Sequence, residues 1–101
     1  MSQAFDYRSL DPLIHAPIRL AIMSVLATVE FAEFNALKDR TQATDGNLSV
    51  HLRKLEEAGY LSVEKKIVGR KPQTSYRITE AGHQAFRGYL REMARMLEQA
   101  P

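Results

Sequence analysis

Apolar residues in this chain recur at helical spacing in some stretches and at strand spacing in others. From Leu10 to Thr28, Leu13, Ile14, Ile18, Ala21, Ile22, Val25 and Leu26 return at three- and four-residue steps, which predicts a helix. Pro17 divides it into a short piece and a main helix from Pro17 to about Thr28. Phe34 to Arg40 predicts a short helix with Phe34 and Leu37 inward. After a tight connection at Thr41-Gln-Ala43, the run Asp45 to Ala58 predicts a third helix, with Thr44 as N-cap and Gly59 at its left-handed stop. Leu61 to Val68 is rich in β-branched and apolar residues, Gly69-Arg-Lys-Pro72 signals a turn, and Thr74 to Thr79 resumes a strand pattern. A last helix opens at Thr79 or Glu80 and runs to about Gln99. The expected class is mainly α with a small β-hairpin, an α+β arrangement.

The third helix has the clearest division of faces. With Leu48 at zero on a helical wheel, Leu52 and Leu55 fall within about 40° of it. Gly46, Val50, Arg53 and Glu57 lie opposite, Asn47 and Lys54 beside them, and Ser49 and His51 on the flanks. Small residues at the outward N-terminal turn allow close approach to another surface. Asn47 can pair with an adenine edge and Val50 can touch a thymine methyl. Ser49 and the free N–H groups of the first turn suit phosphate oxygens, and Arg53 and Lys54 add positive charge.

Charge distribution strengthens this reading. The chain has 101 residues, room for one domain, and a net charge of +2. Residues 38–77 carry nine basic and five acidic side chains, a surplus of four, against a deficit of two elsewhere. Lys65, Lys66, Arg70 and Lys71 place much of that surplus around the hairpin. A short helix, an open-faced helix and a basic hairpin, in that order, point to a helix-turn-helix with a wing, bound to double-stranded DNA.

Other chemistry finds little support. With no cysteine there is neither a disulfide framework nor a cysteine-ligated metal. His15, His51 and His83 stand apart in sequence, and no glycine-rich phosphate loop is present. No enzyme activity, cofactor or metal site is expected. No apolar run approaches the roughly 18 residues of a membrane span, and a cytoplasmic location is expected.

The run TDGNLSVHLRKLEEAGYL, followed by VGRKP and YRIT-AG, resembles the short winged-helix transcriptional regulators of the MarR/ArsR-like superfamily over roughly residues 10–97. Ser49-Val-His-Leu52, Lys54-Leu55 and Ala58-Gly59-Tyr60 match that family's recognition helix, and Thr79-Glu-Ala-Gly82 its last-helix start. The resemblance implies a homodimer with one recognition helix per half-site of a palindromic operator. It makes Thr44, Gly46, Asn47, Ser49, Val50, His51, Arg53 and Lys54 reading or clamping residues, and Arg70 and Lys71 wing contacts. The chain lacks the cysteine ligands of metal-sensing members and is shorter than typical MarR proteins, which leaves the small-molecule effector undefined.

In the last helix Phe86, Leu90, Met93 and Leu97 are spaced 4, 3 and 4, and Tyr89 and Met96 widen the stripe. Two-fold pairing of this face, joined by the first helix and Phe5 or Tyr7, is the expected dimer interface. The domain plan is then an arm at 1–9, a winged-helix core at 10–79 and a dimerisation helix at 80–99. The competing reading keeps the fold but uses it only for protein–protein assembly. That reading calls for neither a basic wing nor an open reading face.

Overall fold

A computed structural model describes residues 6–98. After a 3₁₀ turn at Tyr7–Ser9 come α1 (Pro17–Leu26), β1 (Ala32–Glu33), α2 (Phe34–Thr41), α3 (Asp45–Glu57), β2 (Leu61–Val68), β3 (Lys71–Ile78) and α4 (Glu80–Glu98). The strands form one antiparallel sheet in the order β1-β3-β2.

The segment before α1 departs from expectation. Leu10 to Ala16 is a run of turns, with Ile14 and His15 N–H bonding the Asp11 carbonyl and Leu13 N–H bonding the Asp11 carboxylate. The cause is local. Ala16 precedes a proline and is extended at φ −150°, because the pyrrolidine ring disfavours a helical residue before it. Leu10 and Ile14 still bury their side chains. At its other end α1 stops at Leu26, short of Thr28.

The helix-turn-helix forms as the sequence predicts. Gln42 caps α2 in the left-handed region at φ 59°, its N–H bonded to the Lys38 carbonyl. Thr44 then caps α3, its hydroxyl accepting from the Asn47 N–H at 3.2 Å. At the far end Gly59, at φ 81°, lets Tyr60 N–H reach back to the Leu55 carbonyl, a Schellman closure.

The hairpin turn is tighter than expected. Val68 pairs with Lys71, leaving only Gly69 (φ 55°) and Arg70 (φ 73°) between the strands, the positive pair that a type I′ turn requires. Pro72 therefore lies within β3, not in the turn. It is tolerated because β1 reaches only Ser75 and Tyr76, so β3 has no second neighbour at Pro72. On one face the successive rungs are Leu61–Ile78, Val63–Tyr76, Lys65–Thr74 and Ile67–Pro72.

The core gathers Ile22, Met23 and Leu26 of α1, Leu37 of α2, and Leu48, Leu52 and Leu55 of α3. Phe34 is only half-buried and packs at its margin. Leu61 and Ile78 close it from the sheet, and Phe86 and Tyr89 bring in α4. Thr79 fastens the start of α4. Its hydroxyl donates to the Gly59 carbonyl at 2.6 Å and accepts from Gly82 N–H at 3.0 Å.

A Cβ at Gly82 would collide with the Tyr60 carbonyl oxygen and crowd Ile78. Backbone cannot yield as a flexible side chain would. Gly82→Ala should therefore cost about 1–3 kcal/mol, read as a lower urea midpoint. An unchanged midpoint would show that α4 is not seated on the Tyr60 carbonyl. The radius of gyration is 15.5 Å and the longest extent 63 Å, against about 13 Å for a compact 100-residue domain. The wing and the distal part of α4 extend beyond the core, and their exposed Ile67 and Leu97 mark the overhang.

Candidate nucleic-acid interface

Leu48, Leu52 and Leu55 are no more than 1% exposed, which fixes the rotation of α3 about its own axis. That rotation turns Gly46, Asn47, Ser49, Val50, Arg53 and Lys54 to solvent. Val50 is 47% exposed, an apolar side chain held outward on a helix whose other apolar residues point in. Gly46 has open space where a Cβ would stand, so the first turn of α3 is a flat approach surface. Glu57 is also exposed, in the last turn.

Cations are distributed over α3 and the wing without being neutralised. Arg53, Lys54, Lys65, Arg70 and Lys71 are exposed and form no ion pair among the described residues. Lys66 is held by Glu64 at 3.1 Å. Asp45, at the α3 N-terminus, is matched by Lys38 at 2.8 Å, so an acid beside the reading turn is neutralised by the preceding helix. Pairing the acid nearest the reading turn and leaving cations open suits a polyanion. Thr44 is the N-cap, and its exposed hydroxyl can still donate outward.

His51 differs from the other candidates. It is half-buried, and Arg19 of α1 bonds its Nδ1 at 2.9 Å. A guanidinium only donates, so Nδ1 accepts and the proton stays on Nε2. The same Arg19 side chain donates to the Leu13 carbonyl at 2.5 Å and reaches the Pro12 carbonyl at 3.4 Å. Arg19 therefore ties the turn before α1 to the flank of α3. Asp11 accepts from the Tyr60 hydroxyl, and that bond, with burial, pushes the phenol up to about 12. His15 bonds the Tyr89 hydroxyl at 2.8 Å and so links the same turn to α4. His15 and His51 thus bond different partners, on α4 and on α1.

Sequence reasoning missed Arg19, Asp11 and Tyr60 as supports of the site. One signal was present: Arg19 is the single charge within the mostly apolar Pro17–Leu26 helix.

Burial, then the charges of Arg19 and Lys54, hold the His51 imidazole below the ordinary histidine value of 6.5. On acidification the unfolded chain then binds more protons at this position than the folded one. The stabilisation is complete above pH 6.5 and is lost as pH falls through the lowered folded value. Stability to urea should fall as pH drops below the ordinary histidine value of 6.5, and His51→Gln should flatten that fall. An identical pH profile in the variant would contradict the assignment.

Comparison with known proteins decides the family. The winged helix DNA-binding domain family matches residues 18–97, most of the chain and all of the site on α3 and the hairpin. The chain belongs to that family. An uncharacterised protein of Methanocaldococcus jannaschii is 36% identical over 84 residues, spanning 83% of this chain and 91% of that one. Among solved structures, a transcriptional regulator homologue from Pyrococcus horikoshii superposes with a TM-score of 0.80 at 30% identity, covering 85% of each chain. A PadR family transcriptional regulator from Eggerthella lenta follows at 0.67 and 25%, over 80% of this chain and 79% of that one. The fold also recurs in regulators of the MarR and ArsR families, at 15% and 19% identity. The fold of this winged-helix chain is thus that of transcriptional regulators, MarR and ArsR family members among them. No helix among the described residues is long and apolar enough to cross a membrane.

Proposed function

We propose that this winged-helix protein is a sequence-specific regulator of transcription that binds double-stranded DNA as a homodimer, working as a repressor in the cytoplasm and by binding alone, without catalysis. In this reading α3 enters the major groove, with Gly46, Asn47 and Val50 at the bases and Ser49, Arg53 and Lys54 toward the backbone. His51 offers its Nε2–H to a phosphate from the flank of α3. The tip at 69–73, through Arg70 and Lys71, lies on backbone or minor groove, and Lys65 and Lys66 add charge along the hairpin. The observation that carries the proposal is the open, cation-bearing outward face of α3 on a family-matched winged helix.

The dimer half of the proposal rests on α4. Phe86 and Tyr89 are 8% and 3% exposed, packed into the protomer's own core, so they anchor the helix. Leu90, Met93, Met96 and Leu97 remain at least partly exposed and form the stripe left for a partner. Of the aromatic residues before α1, Phe5 lies outside the described residues, as does the Tyr7 side chain. A two-fold pair of winged helices matches a palindromic operator with half-sites about one DNA turn apart.

The test is a gel shift at low salt on random duplex and on the DNA upstream of the protein's own gene. Retardation of both, tighter on the second, is expected. No retardation of either would leave the assembly-only reading standing instead.

A further inference from the structure

The wing tip carries a feature that its charges do not explain. On the hairpin face that closes the core, the first rungs are covered: Leu61 and Ile78 are buried, Val63 and Tyr76 half-buried. Beyond them solvent should dictate polar residues, and Lys65 with Thr74 conforms. The last rung, Ile67 opposite Pro72, does not. Ile67 is 71% exposed, the most exposed large apolar side chain among the described residues. It stands on an edge strand, where an uncovered apolar residue invites unwanted strand pairing. It contributes nothing to the protomer's own core.

Its surroundings select the occupant. Lys65, Lys66, Arg70 and Lys71 flank it, and the nearby carboxylate, Glu64, is taken by Lys66. A second copy would bring the same cations against these, and an apolar protein groove would have to bury them unpaired. A nucleic-acid duplex neutralises them while offering apolar sugar surface between its phosphates. The turn is the shortest available, Gly69 and Arg70 alone, so no loop holds Ile67 back from what the tip touches.

We propose that the Ile67–Pro72 rung seats in the minor groove of duplex DNA, beside the major groove that α3 enters, and favours A·T pairs there. This rests on the DNA-binding reading above. Isoleucine and proline are among the apolar side chains that minor-groove proteins lay against base steps. Such a rung has no acceptor for the guanine 2-amino group, the one donor that marks G·C in the minor groove. A·T tracts also narrow that groove, improving both the apolar contact and the pull on Arg70 and Lys71. The contribution is distinct from the cations': it selects sequence without changing the number of phosphates neutralised.

Ile67→Thr is the informative change, because it keeps the β-branch, the strand preference and every charge. Wild type first selects a duplex from random sequence. Both proteins are then titrated by fluorescence anisotropy onto that duplex, and onto copies whose A·T pairs flanking the α3 site are replaced by G·C or by I·C. Inosine lacks the 2-amino group, so the last two differ only in the minor groove. Wild type should lose about tenfold on G·C and regain most of it on I·C. Ile67→Thr should bind the selected duplex several-fold more weakly, discriminate less between G·C and I·C, with Arg70 and Lys71 supplying what remains, and keep the wild-type salt slope. Wild-type affinity and preference in the variant would overturn the proposal, as would a wild type indifferent to G·C against I·C. A drop in sedimenting mass for Ile67→Thr would assign the rung to a second copy, overturning it too. If wild type selects no duplex, the DNA-binding reading itself fails, and that result appears before any variant is made.

Discussion

Leu90→Asp combined with Leu97→Asp is expected to yield a folded monomer whose affinity for its operator falls about 10²–10⁴-fold. Leu90 is 48% and Leu97 69% exposed on α4, so neither carboxylate enters the protomer's own core and the fold should survive. In a two-fold pairing of α4 the same positions are buried, and an unpaired carboxylate there costs several kcal/mol. The apolar gain it opposes is modest. Half-exposed leucine or methionine side chains recover about 1 kcal/mol each on burial, and association itself must be offset. Two charges per protomer should therefore abolish the dimer. A monomer then meets each half-site separately and loses the 10²–10⁴-fold advantage of linked sites. Sedimentation would show half the wild-type mass with unchanged circular dichroism. An unchanged mass would refute this interface.

Arg70→Ala with Lys71→Ala and, separately, Asn47→Ala should weaken DNA binding in different ways. The first pair removes two cations that form no ion pair among the described residues. Affinity should fall on every sequence, about tenfold at moderate salt, and the log–log salt slope should drop by about two. Asn47 is exposed, its backbone N–H is bonded to the Thr44 cap, and its side-chain amide makes no hydrogen bond among the described residues. Its loss should leave the salt slope alone and remove roughly 1–3 kcal/mol of discrimination at one base pair. Binding-site selection with each variant separates the two. Equal loss of specificity from both would contradict the roles given to helix and wing.

Much of this was legible in the chain because it is governed by neighbours in sequence. Thr44, Gly59 and the Leu48-Leu52-Leu55 stripe set where α3 starts, stops and faces, and each acts within one helical turn. β2 is likewise written in its own β-branched run. What escaped depends on partners far along the chain or on competing local effects. β1 is two residues, Ala32 and Glu33, and exists only because Tyr76 and Ser75 lie beside it. Leu10 and Ile14 have helical spacing, but Ala16 before Pro17 forbids the helix. Pro72 reads as turn until the positive φ pair at Gly69 and Arg70 closes the hairpin earlier.

The site shows the same division. The outward residues of α3 follow from its wheel. His51's engagement does not, because Arg19 lies 32 residues away and reaches it only in the folded chain. On α4 periodicity cannot separate Phe86 and Tyr89, turned to the core, from Leu90 and Leu97, left outside.

The most direct test of the central claim is the affinity of the wild-type protein for a selected duplex as salt is varied. If α3 and the wing face phosphate with their open cations, log affinity should fall linearly with log salt, with a slope steeper than about −4, roughly one unit per cation engaged. A slope near zero, or no binding at low salt, would contradict it.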